Sequence, residues 1–125
     1  MTDADRELLE RADGVATRAY APYSNFLVGA VARTRDGRVF EGVNVENAAY
    51  PLGICAEKTA LGKAVADGVR PGEVEVLAVT ASPCGGCRQW FHELGVERVV
   101  YRRPNGDVAV ATPAELLPDT FELER

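Results

Sequence analysis

The stretch SPCGGCRQ holds Cys84 and Cys87 with two glycines between them, and the one remaining cysteine, Cys55, stands in ICAEKTA. An odd cysteine count in a chain without an export signal points to metal binding or catalysis rather than to disulfides. One C-x-x-C pair is compatible with redox chemistry or with half of a zinc ribbon. A ribbon needs a second pair, and only one cysteine is left. Three thiolates make a soft-ligand site, for which zinc is the first choice. Three protein ligands leave the fourth tetrahedral position to water, as in a catalytic rather than a structural centre. The sole histidine, His92, could close the site and make it structural; a surface or partly packed histidine is the simpler reading. Glu57 follows Cys55 by two residues. A carboxylate beside a metal-activated water can take its proton and pass it to a leaving group. The plainer role of a glutamate there is to complement a helix dipole.

The elements around these residues alternate. Thr2 or Asp3 can cap a first helix running to about residue 20, with Leu8, Leu9, Ala12, Val15, Ala16 and Ala19 on one face. Pro22 and Ser24–Asn25 break it at APYSNF. Residues 27–33 and 38–45 read as strands joined by a hairpin at Arg35–Asp36–Gly37. ENAAYPLG reads as a loop, and residues 55–66 have a helix pattern ending at Asp67–Gly68. VEVLAVTA, residues 74–81, is a continuous apolar run of the kind a doubly covered strand shows. Residues 86–94 predict a third helix, 96–101 and 108–111 two more strands around Asn105–Gly106, and Thr112 or Pro113 the start of a short last helix. The order α-β-β-α-β-α-β-β-α describes one mixed sheet with helices on both faces. Cys55 and the Cys84–Cys87 pair then fall at two helix starts that can open on the same sheet edge. A helix N-terminus favours negative charge and lowers a thiol pKa.

Bulk composition narrows the classes. The chain has 125 residues, 46% hydrophobic and 26% charged, which suits a single globular domain spanning 1–125. Its net charge of −5 argues against a phosphate-backbone binder, so no nucleic-acid partner is expected. The start MTDADRELLE is acidic and amphipathic, unlike a secretory signal, and no apolar run approaches a membrane span, so a cytoplasmic protein is expected.

Cys-Ala-Glu upstream of Pro-Cys-Gly-Gly-Cys matches the general layout of zinc deaminases. Together with AYAPYSNFLVGA, GVNVENAAYPLGICAEKTAL and AELLPDTF, it resembles the short, homotetrameric class of cytidine deaminase over nearly the whole chain. The resemblance implies a three-layer α/β/α sandwich with a five-stranded mixed sheet. It implies Zn²⁺ held by Cys55, Cys84 and Cys87, with Glu57 as proton shuttle. The implied reaction is hydrolysis of cytidine and deoxycytidine to uridine and deoxyuridine plus ammonia, a step of pyrimidine salvage. By the same resemblance, Ala56 and Cys84 offer backbone groups to the base, Phe26 contributes to the base pocket, and Asn44 and Glu46 hold the ribose hydroxyls. Strand alternation agrees, because residues 44 and 46 point the same way; the alternative is a polar strand end with Asn47 capping a turn. Tyr50 and Phe121 are implied to reach a neighbouring subunit, giving a homotetramer with shared active sites.

Three departures from the family pattern stand out. Three thiolates over-neutralise Zn²⁺ and weaken it as a Lewis acid, so a nearby cation is needed. The family places an arginine after the glutamate; here the residue is Lys58, which keeps the charge but loses the planar fork. Arg88 is a second candidate for that role. The connection from VLAVTA to SPCG is short, and WFHEL follows CRQ where aliphatic residues are usual, with Trp90 and Phe91 as packing residues. Other readings are a deaminase of another aminopyrimidine nucleoside such as blasticidin S, a nucleic-acid-editing deaminase, which the acidic charge disfavours, and a non-enzymatic zinc-stabilised binding module.

Overall fold

Helix α1 (Asp3–Ala16) begins where the sequence offers a reciprocal cap. The Thr2 side chain accepts from the Asp5 N–H and the Asp5 carboxylate accepts from the Thr2 N–H. The computed structural model describes residues 1–125. Four further elements complete the first half and its crossover: β1 (Gly29–Thr34), β2 (Val39–Val43), α2 (Ala56–Ala66) and β3 (Val74–Val79). Helix α3 (Gly85–Glu93), β4 (Arg98–Arg102), β5 (Val108–Ala111) and α4 (Pro113–Leu116) follow, and a single 3₁₀ turn, Tyr50–Leu52, interrupts the β2–α2 connection.

The five strands form one sheet in the order β2-β1-β3-β4-β5, with β3 and β4 parallel and the other pairs antiparallel. Period-two alternation divides the core. Ala30, Ala32, Leu77, Val79, Val99 and Tyr101 face α2 and α3 on one side. Val31, Val76, Ala78 and Val100 face Leu8, Leu9, Ala12 and Val15 of α1 on the other. Strand β3 is thus covered on both faces, as its unbroken apolar run requires, and the sandwich has three layers.

Topology positions the site. Both β2 and β3 run antiparallel to β1, so they are parallel to each other, and the helix that follows each starts at the same edge of the sheet. Gly42 and Thr59 hold α2 close. A Cβ on Gly42 would collide with the Ala56 carbonyl and the Ala60 backbone nitrogen, so only glycine lets the helix lie this near β2. The Thr59 hydroxyl is placed 2.9 Å from the Val43 carbonyl and 3.2 Å from the Cys55 carbonyl, joining the strand end to the helix start.

Several boundaries differ from those expected: β3 ends at Val79 rather than residue 81, β4 starts at Arg98 rather than residue 96, and β2 ends at Val43, so Asn44 and Glu46 lie just beyond the strand rather than within it. Helix α1 stops at Ala16 rather than near residue 20, because Tyr20 is drawn into a bridge with the strand end: its N–H donates to the Asn44 carbonyl and its carbonyl accepts from the Glu46 N–H. Residues 27 and 28 lie outside β1, which begins at Gly29. The Val28 N–H donates instead to the Asn44 side chain.

Candidate active site

Cys55 and Cys84 are the N-cap residues of α2 and α3. The Cys84 Sγ accepts from the Cys87 N–H at 3.4 Å, which sets Cys87 one turn into the helix, pointing back to the same spot. The three Sγ atoms lie within 4.8 Å of one another, Cys55 and Cys84 at 3.7 Å, and none is in a disulfide. Zinc–sulfur bonds of about 2.3 Å in tetrahedral geometry separate ligand sulfurs by roughly 3.8 Å, so this donor set fits zinc. Cys87 is buried and Cys84 exposed, leaving one side of the centre open. Its neighbours prepare the thiol chemistry. A hydrogen bond from the Cys87 thiol, with Lys58 nearby, lowers the Cys55 pKa to about 6, while that same bond and burial push Cys87 up. His92 is not part of the cluster; its ring lies 3.6 Å from the Glu122 carboxylate.

Glu57 is 3% exposed and lines the cleft in front of the sulfurs. It has no salt-bridge partner among the ion pairs of the chain. Burial raises its pKa to about 7, and the Cys55 thiolate adds to the rise. A carboxyl that exchanges its proton near neutrality is suited to both halves of acid–base work.

The cleft has a volume of about 470 Å³, the size of a small-molecule site. Phe26, Val28, Val45, Ile54 and Ala81 give it apolar walls; Ser24, Asn44, Glu46 and Asn47 make its polar end. Ala56 and Cys84 line it, as does Tyr50. No lysine, arginine or histidine lines it.

The polar end is hydrogen-bonded as a unit. The Glu46 carboxylate accepts from the backbone N–H groups of Tyr23 and Ser24 at 2.9 and 3.1 Å and from the Ser24 hydroxyl. The Asn44 amide accepts from the Val28 N–H at 2.8 Å and donates to the Phe26 carbonyl at 2.9 Å. The Ser24 hydroxyl also accepts from the Phe26 N–H at 3.0 Å. Asn47 caps the following turn through the Ala49 N–H, so the polar strand end does structural work beside the cleft. Tyr23 and Ser24 were not expected as site residues. The signal was the PYSN turn, which reads only as a helix breaker until its distance from Glu46 is known.

Three of the expected residues sit elsewhere. Lys58 does not line the cleft. Its side chain turns to the start of α3, where a Cβ on Gly86 would stand 3.1 Å from Nζ and 3.9 Å from the Cys84 Sγ. The half-buried ammonium has no hydrogen bond or salt bridge; its charge lowers the Cys55 pKa and opposes the rise of Glu57. Arg88 donates to the carbonyls of Pro83 and Leu116 and forms no hydrogen bond to sulfur. Phe121 is 72% exposed in the tail and lies outside this chain's own cleft.

A buried carboxylate facing an open three-thiolate centre on a three-layer α/β/α frame defines a zinc-dependent deaminase. The family model for the cytidine and deoxycytidylate deaminase zinc-binding region matches residues 2–103. The cytidine deaminase of Sporosarcina psychrophila is 42% identical over 126 residues, covering 94% of this chain and 91% of that one. Crystal structures of cytidine deaminases from Burkholderia pseudomallei and Mycobacterium tuberculosis superpose with TM-scores of 0.87 and 0.81. Their identities are 49% and 36%; the matches cover 97% and 98% of this chain and 100% of each of theirs. The chain belongs to the cytidine and deoxycytidylate deaminase family.

Proposed function

We propose that the 125 residues act as one catalytic domain that hydrolyses cytidine and deoxycytidine to uridine and deoxyuridine, releasing ammonia, in pyrimidine salvage. The observation that carries this is Glu57, buried at the cleft wall beside the three convergent cysteines. Zinc held by Cys55, Cys84 and Cys87 supplies a Lewis acid that makes water a nucleophile near neutral pH. Glu57 accepts the water proton and delivers it to N3 of the pyrimidine as the hydroxyl adds at C4. It then takes the proton of that C4 hydroxyl and passes it to the amine, so that the C4–N bond breaks, ammonia leaves and the C4 carbonyl forms. One carboxylate serves both ends because the ring carbon is a poor electrophile until N3 is protonated. Backbone groups of Ala56 and Cys84 orient the base, Phe26 packs on it, and Asn44 and Glu46 receive the sugar hydroxyls. Lys58 offsets the excess negative charge of the thiolates.

The lining also separates nucleosides from nucleotides. A phosphate entering this cleft would meet the Glu46 carboxylate and no cation, so the free nucleoside is the substrate rather than its monophosphate.

The active assembly is a homotetramer with shared sites. Tyr50 is 80% exposed, and Phe121, Leu52 and Ile54 leave further apolar surface around the cleft and tail. No helix is long and apolar enough to cross a membrane. Three free cysteines suit a reducing compartment such as the cytoplasm.

The test is cytidine turnover by the purified zinc-loaded protein, followed as ultraviolet absorbance loss with ammonia release. Glu57→Gln should lower the rate by at least about 10²–10⁴-fold while leaving one zinc per chain. Cytidine turned over equally by the variant would sink the assignment. If the wild type leaves cytidine untouched but converts another aminopyrimidine nucleoside, blasticidin S included, the frame stands and the substrate changes. A zinc-loaded chain that converts none is a binding module.

A further inference from the structure

The Arg88 guanidinium spans two segments that the sequence keeps apart. Its Nε–H donates to the Pro83 carbonyl at 3.0 Å and an Nη1–H to the Leu116 carbonyl at 3.0 Å, both partly buried. No carboxylate lies within salt-bridge distance of it. Arg88 follows Cys87 in α3, and Pro83 precedes Cys84, so the bond closes the ligand loop on itself.

The Pro83 carbonyl and the Cys84 N–H belong to one trans peptide plane and point in opposite directions. Holding the carbonyl therefore fixes where the Cys84 N–H points and anchors the backbone from which its Sγ enters the cluster. Proline has no N–H of its own, so this carbonyl is the hydrogen-bonding handle on that residue. The other acceptor, Leu116, ends α4, a helix of four residues whose start is capped by Thr112 and Glu115. Its last carbonyls have no partner within the helix. Arg88 thus closes the end of α4, from which the chain leaves toward Phe121.

We propose that Arg88 is a positioning residue that locks the metal-ligand loop to the root of the C-terminal segment, so that the Cys84 peptide plane and the tail keep one fixed relation. This goes beyond its charge and rests, for its kinetic consequence only, on the deaminase reading. A guanidinium holds both carbonyls in one geometry because its donors form a rigid fork; an ammonium is a point charge on a flexible stem and does not fix their relative placement.

The experiment compares the zinc-loaded wild type with Arg88→Lys and Arg88→Ala. It measures hydrogen exchange in peptides covering 82–88 and 112–125, zinc transfer to a chromogenic chelator, and kcat and KM for cytidine. Arg88→Lys, which keeps the charge, is the informative variant should Arg88→Ala fail to fold. The expected result is about tenfold faster exchange in both segments with none in β1 and β2, about tenfold faster zinc release, and a KM raised more than kcat is lowered. Full rescue by lysine would reduce Arg88 to a charge and overturn the proposal. So would exchange that is unchanged in both segments, or that rises throughout the sheet. The exchange and zinc arms need no substrate, so a failure of the cytidine assignment alone leaves them readable.

Discussion

Gly42 lies directly against Ala60: a Cβ on the glycine would stand 2.9 Å from the Ala60 Cα and collide with backbone atoms nearer still. This contact sets the depth at which α2, with Cys55 at its start and Glu57 in its first turn, rests on the sheet. Gly42→Ala should destabilise the protein by about 1–3 kcal/mol or more, because neither neighbour is a side chain that can swing away. Urea denaturation with zinc present measures it. A variant as stable as the parent would show that the helix can retreat without loss.

Lys58 and Gly86 form a second tight pair, and here the neighbour is mobile. Lys58→Ala should slow cytidine turnover by about tenfold, equivalent to roughly 1.4 kcal/mol of barrier, with a smaller change in KM. Gly86→Ala should reproduce part of that loss by displacing Nζ from its place 3.1 Å from the added Cβ. Steady-state kinetics of the two single variants and the double variant test the coupling. Additive effects would mean that the two residues act independently.

The cysteines differ in burial, and their serine variants should differ accordingly. Cys84→Ser and Cys87→Ser should both lose stoichiometric zinc, measured by metal analysis of the purified protein. Cys87, buried against the core, should in addition lose about 1–3 kcal/mol from an unpartnered buried hydroxyl. Chelator should lower the melting temperature of the wild type and leave that of either variant unchanged.

Asp5 is 1% exposed, yet it is charged: Arg98 donates two hydrogen bonds to it at 3.0 and 2.8 Å and holds its pKa below the usual 3.8. A depressed carboxyl stabilises the fold fully above its unfolded pKa. That contribution drains as pH falls through 3.8 toward the lower folded value. Asp5→Asn should therefore cost about 1.5–3 kcal/mol near neutrality and flatten the acid limb of the stability–pH curve. Equal slopes below pH 4 for the two proteins would exclude Asp5 as a source of acid lability.

Much of this was legible in the residues, and what was not has a common cause. The cysteines announced themselves because spacing and helix starts are local properties. The period-two and 3.6-residue patterns likewise placed every strand and helix within a few residues of its final bounds. Side-chain partners across the chain left no such trace. The bridge from Tyr20 to the strand end shortened α1 although the local pattern favoured continuation. The sequence shows Arg88 beside a metal ligand and suggests a charge for the sulfurs; the acceptor at Leu116 exists only after α4 folds back on α3. Lys58 carried the same ambiguity, resolved by the missing side chain at Gly86.

The hydrogen bonds that Asn44 and Glu46 make to residues 23–28 bear on how such an enzyme can change. The residues proposed to read the sugar are also the scaffold of the segment that presents Phe26. A mutation that relaxes sugar recognition therefore loosens the aromatic wall at once. New sugar tolerance and intact base affinity are opposed in a single substitution, and reaching both requires compensating changes within PYSNF itself.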